Sequence, residues 1–237
     1  MEPQPQAPLV SYDDFAKLID HTLLKPDLAM AHVVEELELA KRYGVASVTV
    51  RPCDIDLAVR TLGNGLVKAG SVSGFPHGSQ STATKLFETR DLLRRGAKEI
   101  DLVIAIAKLV SREFQHVQSE LSQMSEACHK EGAILKVTLE TAYLTEELKI
   151  IACRCCERAE VDFVKTSTGF APSGYTADDV RLLRKYLPEE IAIEAEGGFR
   201  TVAEILPAYE GGCAKIATTA TAAILEEWKA RLAAPVT

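Results

Sequence analysis

A chain of 237 residues that is 47% hydrophobic and 26% charged can bury a substantial core, and its balance excludes a disordered or collagen-like polymer. A formal net charge of -7 without any Lys/Arg run argues against a nucleic-acid partner. No apolar stretch approaches the roughly 20 residues that cross a bilayer, and the opening MEPQPQAPLV lacks the basic-then-apolar order of a signal peptide, so a cytoplasmic protein without membrane contact is expected.

Residues 1–10, rich in Pro and Gln, read as a flexible tail, and residues 11–237 as one domain. From residue 17 onward, short apolar or alternating runs are each followed by a segment with helical spacing. Strands are expected at KLIDHT (17–22), VASVTV (45–50), KAGSVS (68–73), KEIDLVIA (98–105), AILKVTLE (133–140), VDFVKTS (161–167), IAIEAE (191–196) and CAKIAT (213–218). Helices are expected at Ala29–Tyr43, Ala83–Arg95, Ser111–Lys130, Thr145–Arg158, Thr176–Tyr186 and Thr218–Arg231, with Thr145 as an N-cap. Eight such units in this length predict an α/β fold, a (β/α)8 TIM barrel with an N-terminal extension. An open doubly wound sheet is the alternative, but no Gly-rich dinucleotide loop follows the early strands, and GNG at 63–65 follows a helix pattern and reads as a turn.

Alternation along the strands separates two faces. Leu135, Val137 and Leu139 oppose Lys136, Thr138 and Glu140; Ile100, Leu102 and Ile104 oppose Asp101 and Val103; Ile191 and Ile193 oppose Glu194 and Glu196; Val48 and Val50 oppose Ser47 and Thr49. With the apolar faces against the helices, Asp101, Lys136, Lys165 and Glu194 converge on the barrel axis, where Val, Ile and Leu are usual. Burying such charges is costly unless they pair or work. A structural ion-pair network is the bland reading; a site at the strand ends is the functional one. Lys165 ends the sixth strand where a closed barrel offers no edge, and its amine becomes nucleophilic only if desolvation or a neighbouring cation lowers its pKa.

The remaining candidates have ordinary readings. Of Cys53, Cys128, Cys153, Cys155, Cys156 and Cys213, three cluster in CRCCER, but no second Cys/His pair completes a tetrahedral site, so they read as small reduced helix residues rather than a metal or redox centre. His77 reads as a loop residue near the barrel mouth and His21 as structural. LEEWKARL around Trp228 reads as an amphipathic C-terminal helix covering the barrel, and a homodimer surface there is left open.

IDHTLLKP, SGFPHG, EIDLVIA, LKVTLET, DFVKTSTGF and GGFRT stand in the order found in the deoxyribose-phosphate aldolase family, from residue 19 to about 220. The chain resembles that family most specifically in DFVKTSTGF. The resemblance implies a (β/α)8 barrel and class I lyase chemistry on a small-molecule carbonyl substrate, in which a lysine imine is the electron sink and no metal or cofactor is required. Position by position, it implies Lys165 as the imine-forming lysine, Asp101 as the acid of the proton relay and Lys136 as a lysine of the same pocket. Asp20 and Thr22 line the mouth, Thr49 falls where some members carry cysteine, and Gly169, Gly197 and Gly198 cradle the substrate phosphate, where barrels commonly hold one.

The sequence departs from that pattern around IEAEGGFRT, where the family reads like VKASGGIRT. Glu194 stands in place of a second lysine whose charge helps keep the imine-forming amine neutral, and a carboxylate there favours protonated Lys165. Glu196 replaces a small residue beside the phosphate loop; two like charges about 4 Å apart repel by roughly 1 kcal/mol in water and about 4 kcal/mol at an effective dielectric of 20. After the eighth strand GTSSG becomes ATTAT, with Ala217 for glycine, Ala220 for serine and Thr219 keeping a hydroxyl, and Ala105 stands where asparagine is common. The expected function is a lysine-imine lyase whose substrate has shifted away from 2-deoxyribose-5-phosphate. The alternatives are an authentic 2-deoxyribose-5-phosphate aldolase, and a non-aldolase enzyme or binding protein that uses Glu194 and Glu196 on the same barrel.

Overall fold

The computed structural model describes residues 9–234. Eight parallel strands, β1 (Ile19–Leu23), β2 (Ser47–Val50), β3 (Lys68–Ser73), β4 (Glu99–Val103), β5 (Ile134–Thr138), β6 (Phe163–Lys165), β7 (Ala192–Glu196) and β8 (Lys215–Thr218), close into a barrel in sequence order. This is the expected (β/α)8 architecture. Around it run α2 (Met30–Tyr43), α3 (Ile55–Leu62), α4 (Thr82–Arg94), α5 (Ile106–Val110), α6 (Phe114–Lys130), α7 (Glu146–Arg158), α8 (Ala177–Tyr186), α9 (Val202–Glu210) and α10 (Thr221–Ala233), with α1 (Tyr12–Ala16) preceding the first strand.

Helix limits follow local chemistry. Thr145 accepts from the Leu148 N–H, Thr176 from the Asp179 N–H, and Thr201 forms a capping box with Glu204, each satisfying a donor the first turn leaves free. Two expectations needed revision. The helix expected over 111–130 begins three residues later, at Phe114, and a separate short helix precedes it: α5 ends at Val110, and Arg112 turns the chain with φ 61° before α6 starts to pack on β5. Neither Gly nor Pro in Ser111–Glu113 announces that turn. Conversely, α9 was not expected, because flanking Gly pairs and Pro207 conceal a helix that its capping box starts and its apolar face holds through Val202, Ile205 and Ala208.

The parity of the strands holds. Ile100, Leu102, Leu135, Val137, Val164 and Ile193 are fully buried in the layer between strands and helices. The Trp228 ring on α10 stacks on Phe15 of α1 with centroids 4.5 Å apart, and its indole N–H donates to the Ser11 carbonyl at 3.1 Å, so the two terminal helices join. His21 bridges outward from β1, its Nδ1 2.8 Å from the Thr221 hydroxyl and its Nε2 3.1 Å from Glu36. Most of the tail expected over residues 1–10 lies outside the described residues; within them, Leu9 packs against the core and Val10 is exposed. No helix among the described residues is long and apolar enough to cross a membrane.

Candidate active site

Strand register decides which charges meet on the axis. Asp101 on β4 pairs in register with Lys136 on β5, Thr138 with Lys165 on β6, and Lys165 with Glu194 on β7. Because side chains of one parity point inward, these residues share the barrel interior, and Asp20 enters from β1 at the same level as Ala217 of β8.

Lys165 Nζ lies 2.9 Å from Asp101, 3.0 Å from Glu194 and 2.8 Å from Glu196. Lys136 Nζ lies 2.6 Å from Asp20, 2.9 Å from Asp101, 3.1 Å from Glu194 and 3.2 Å from Glu99. An ammonium has three protons, so each lysine is saturated with carboxylate, and Asp101 and Glu194 bridge the two. Asp20, Asp101 and Glu194 are close enough together to ligate one ion, but the Lys136 ammonium touches all three. Asp20 and Thr49, expected at the mouth or in the substrate pocket, sit deeper. Both are fully buried, and the Thr49 hydroxyl donates to the Asp20 carboxylate at 2.9 and 3.0 Å.

One layer further toward the strand starts, Lys215 Nζ meets Glu99 at 2.7 Å and the Ser47 hydroxyl at 3.2 Å. The same parity argument applied to KEIDLVIA and CAKIAT places Glu99 and Lys215 inward, although neither was singled out as a candidate. The axis therefore carries five carboxylates, Asp20, Glu99, Asp101, Glu194 and Glu196, against three ammoniums, Lys136, Lys165 and Lys215.

This imbalance sets the protonation states. Burial pulls the Lys165 pKa down, but Asp101, Glu194 and Glu196 outweigh it and hold the ammonium well above its ordinary range. Lys136 is raised in the same way, burial being overcome by Asp101, Asp20, Glu194 and Glu99. Burial opposes ionisation of Asp20, yet Lys136, Lys165 and Lys215 keep its pKa low. Burial wins at Glu194, whose pKa is raised, and at Glu196, where it is pushed up to about 7. Glu194 is thus one of the carboxylates that hold Lys165 charged.

Above the cluster opens a cavity of about 320 Å³ lined by Thr22, Lys25, Gly169, Glu196, Arg200 and Thr219, among others. Glu196 is the acidic member of the axial cluster that reaches its wall. Gly169 and Gly198 both have φ 78°, a backbone state that favours glycine. A Cβ on Gly169 would sit 2.7 Å from Glu196 Oε1, and one on Gly197 would sit 2.6 Å from the Tyr175 nitrogen, so the loops after β6 and β7 need glycine to close together. Glu140, also with positive φ (56°), accepts from the Thr168 N–H at 3.1 Å and from the Thr168 hydroxyl, fixing the loop that follows Lys165. Phe170 rises from that loop and meets Phe75 edge to face, with His77 exposed nearby in sequence. Cys153, Cys155 and Cys156 are free and buried on α7, and Cys53 is exposed.

Residues 15–204 match the DeoC/LacD family aldolase. A deoxyribose-phosphate aldolase from Caldanaerobacter subterraneus subsp. tengcongensis is 42% identical over 91% of this chain and 94% of its own length. The chain belongs to the DeoC/LacD aldolase family. A deoxyribose-phosphate aldolase from Thermococcus gammatolerans is 41% identical over 90% of this aldolase and 96% of its own chain. Among solved structures, a putative deoxyribose-phosphate aldolase from Coccidioides immitis superposes with a TM-score of 0.89 at 31% identity, covering 94% of this chain and 88% of that one. The deoxyribose phosphate aldolase of Aeropyrum pernix, described as a tetramer, gives 0.85 at 30% identity over 94% of each. This DeoC/LacD aldolase is accordingly a carbon–carbon lyase of class I.

Proposed function

We propose that this aldolase attaches its carbonyl substrate to Lys165 as an imine and cleaves or forms the adjacent carbon–carbon bond, with a substrate shifted away from phosphate esters. The observation that carries the substrate reading is the Glu196 carboxylate. One oxygen lies 2.8 Å from Lys165 Nζ and the other lies against Gly169, so a negative charge separates the nucleophile from the glycine cradle. A phosphate delivered to Gly169, Gly198 and Thr219 would meet that charge in a partly desolvated cavity, where repulsion is several times its value in water.

In this reading Asp101, bonded to both lysines, carries protons between them, and Glu194 bridges the same two ammoniums. Asp20 and Thr49 orient Lys136 from below. Thr22, Gly169, Gly197, Gly198 and Thr219 shape the substrate end of the pocket. The iminium then accepts the electron pair of the breaking carbon–carbon bond and becomes an enamine, as the hydroxyl on the departing carbon loses its proton and becomes the product carbonyl.

A second reading is 2-deoxyribose-5-phosphate cleavage, supported by the names of the relatives and by Lys25 and Arg200 in the cavity wall. Acetaldehyde release from 2-deoxyribose and from its 5-phosphate separates the two. With the shifted substrate, the phosphate improves kcat/KM by less than about tenfold, a contribution below about 1.4 kcal/mol. A preference of about a thousandfold or more, roughly 4 kcal/mol, supports the second reading instead.

A further inference from the structure

An imine-forming lysine must shed a proton before it attacks, and the usual device is a nearby cation that lowers its pKa. Here Lys165 is surrounded by carboxylate, so the proton must leave by another route. The protonated imine carries the same single charge as the ammonium it replaces. The same carboxylates therefore stabilise the iminium as well as the resting lysine, and the uncharged species they penalise are the amine that attacks and the carbinolamine it forms.

We propose that Glu196 is a catalytic acid–base residue of this enzyme, taking the proton of Lys165 directly and returning it to the departing hydroxyl of the carbinolamine. Resting on the reading of Lys165 as the imine-forming residue, the assignment follows from position. Glu196 Oε2 is 2.8 Å from Lys165 Nζ, whereas Asp101 and Glu194 are bound by Lys136 as well. Glu196 is also the carboxylate of the cluster that lines the cavity, so it can face both the amine and a carbonyl oxygen entering from the mouth.

The groups around it favour a shared proton. From β6 it faces Lys165, from its own strand Glu194, and from β4 Asp101; Lys136 on β5 lies behind those carboxylates, and Lys25 and Arg200 share the cavity wall. Burial and the two acidic neighbours, opposed by Lys165, bring its pKa up to about 7, nearer to the raised Lys165 ammonium than an ordinary carboxylate would stand.

The steps balance. Proton transfer converts Lys165 ammonium and Glu196 carboxylate into neutral amine and neutral acid. The amine nitrogen then bonds to the carbonyl carbon, and its extra proton passes to the carbonyl oxygen, giving a neutral carbinolamine. Glu196 protonates that hydroxyl, the nitrogen lone pair expels water, and Glu196 is again a carboxylate beside a protonated imine. The sum is ammonium plus carbonyl giving iminium plus water, with no co-reactant.

The test is the rate of imine formation. Enzyme is mixed with acetaldehyde, quenched into borohydride at successive times, and the ethylated Lys165 peptide is quantified by mass spectrometry between pH 5.5 and 9. In the wild type the rate should rise through neutrality as Glu196 becomes a base. Glu196→Gln should slow it by about 10²-fold or more at neutral pH, within the usual range for general acid–base catalysis, and replace the levelling-off above neutrality with a rise that continues to pH 9, as Lys165 must then lose its proton to solvent; Glu196→Asp should keep the rise through neutrality at an intermediate rate. Glu196→Gln forming the imine as fast as the wild type, or faster, overturns the proposal, because a carboxylate that merely holds the proton on Lys165 slows attack. Should Glu196→Gln not fold, Glu196→Ser gives the same comparison. A wild type that ethylates no Lys165 removes the imine reading itself, an outcome distinct from a fast variant.

Discussion

Three carboxylates meet one ammonium at Lys165, and the resulting preference for charge acts on both sides of imine formation. It opposes the free amine and supports the iminium, so the position of a proton acceptor decides whether the lysine works. Glu196 is that acceptor in geometry, and its cost should be visible in stability. Its carboxyl pKa rises from 4.5 to about 7 on folding, chiefly because it is buried. Between those values the folded protein keeps a proton that the unfolded chain has lost, so this group's contribution to stability falls as pH rises from about 4.5 to 7. At roughly 1.4 kcal/mol per pH unit the loss totals about 3 kcal/mol. Urea unfolding at pH 5 and pH 8 should show Glu196→Gln gaining on the wild type by an amount of that order between the two. An equal difference at both pH values would mean that Glu196 is not held protonated by the fold. Parity along IAIEAE made Glu194 and Glu196 legible as inward residues. The family resemblance set Glu194 beside Lys165, but the contacts of Lys136 with Asp20 and Glu99 were not legible, since pairing across the axis depends on register between strands distant in sequence, and Asp20 was accordingly expected at the mouth.

At the scale of elements, the end of β4 is pinned by a buried pair outside the catalytic cluster. Lys85 on α4 donates to Glu120 on α6 at 2.9 Å and to the Val103 carbonyl at 2.8 Å, while Glu120 accepts from the Ala105 N–H at 3.1 Å. Both side chains are fully buried. Removing one partner leaves a charge uncompensated, whereas replacing both with apolar groups can be nearly neutral. Lys85→Met should therefore lose about 3–5 kcal/mol of unfolding free energy, and Lys85→Met/Glu120→Leu should recover most of it. A double variant as unstable as the single one would show that the backbone contacts to Val103 and Ala105 matter more than the pairing. Helices with clear caps, such as α7 behind Thr145, were legible from sequence. The break at Arg112 was not, because its left-handed turn is imposed where α5 ends and α6 packs on β5 rather than by a Gly or Pro. α9 was hidden by the Pro207 that its second turn tolerates.

The whole molecule explains why so many charges can be buried together. A closed barrel gives inward side chains neither an edge nor a lateral route to water, so Lys136, Lys165 and Lys215 must find their counter-ions on neighbouring strands. Eight alternating units made the barrel legible from sequence, and the family motifs located its mouth. Glu99 and Lys215, one of each sign, enlarge the axial cluster without changing its two-carboxylate excess. The central claim is that Lys165 forms an imine within this acidic cluster. Its most direct test is the intact mass and peptide map of the enzyme after borohydride reduction with acetaldehyde, beside Lys165→Ala. One ethyl group on Lys165 in the wild type, absent from the variant at that site, is the expected result. An unmodified Lys165 peptide, with aldol cleavage persisting in Lys165→Ala, would contradict it.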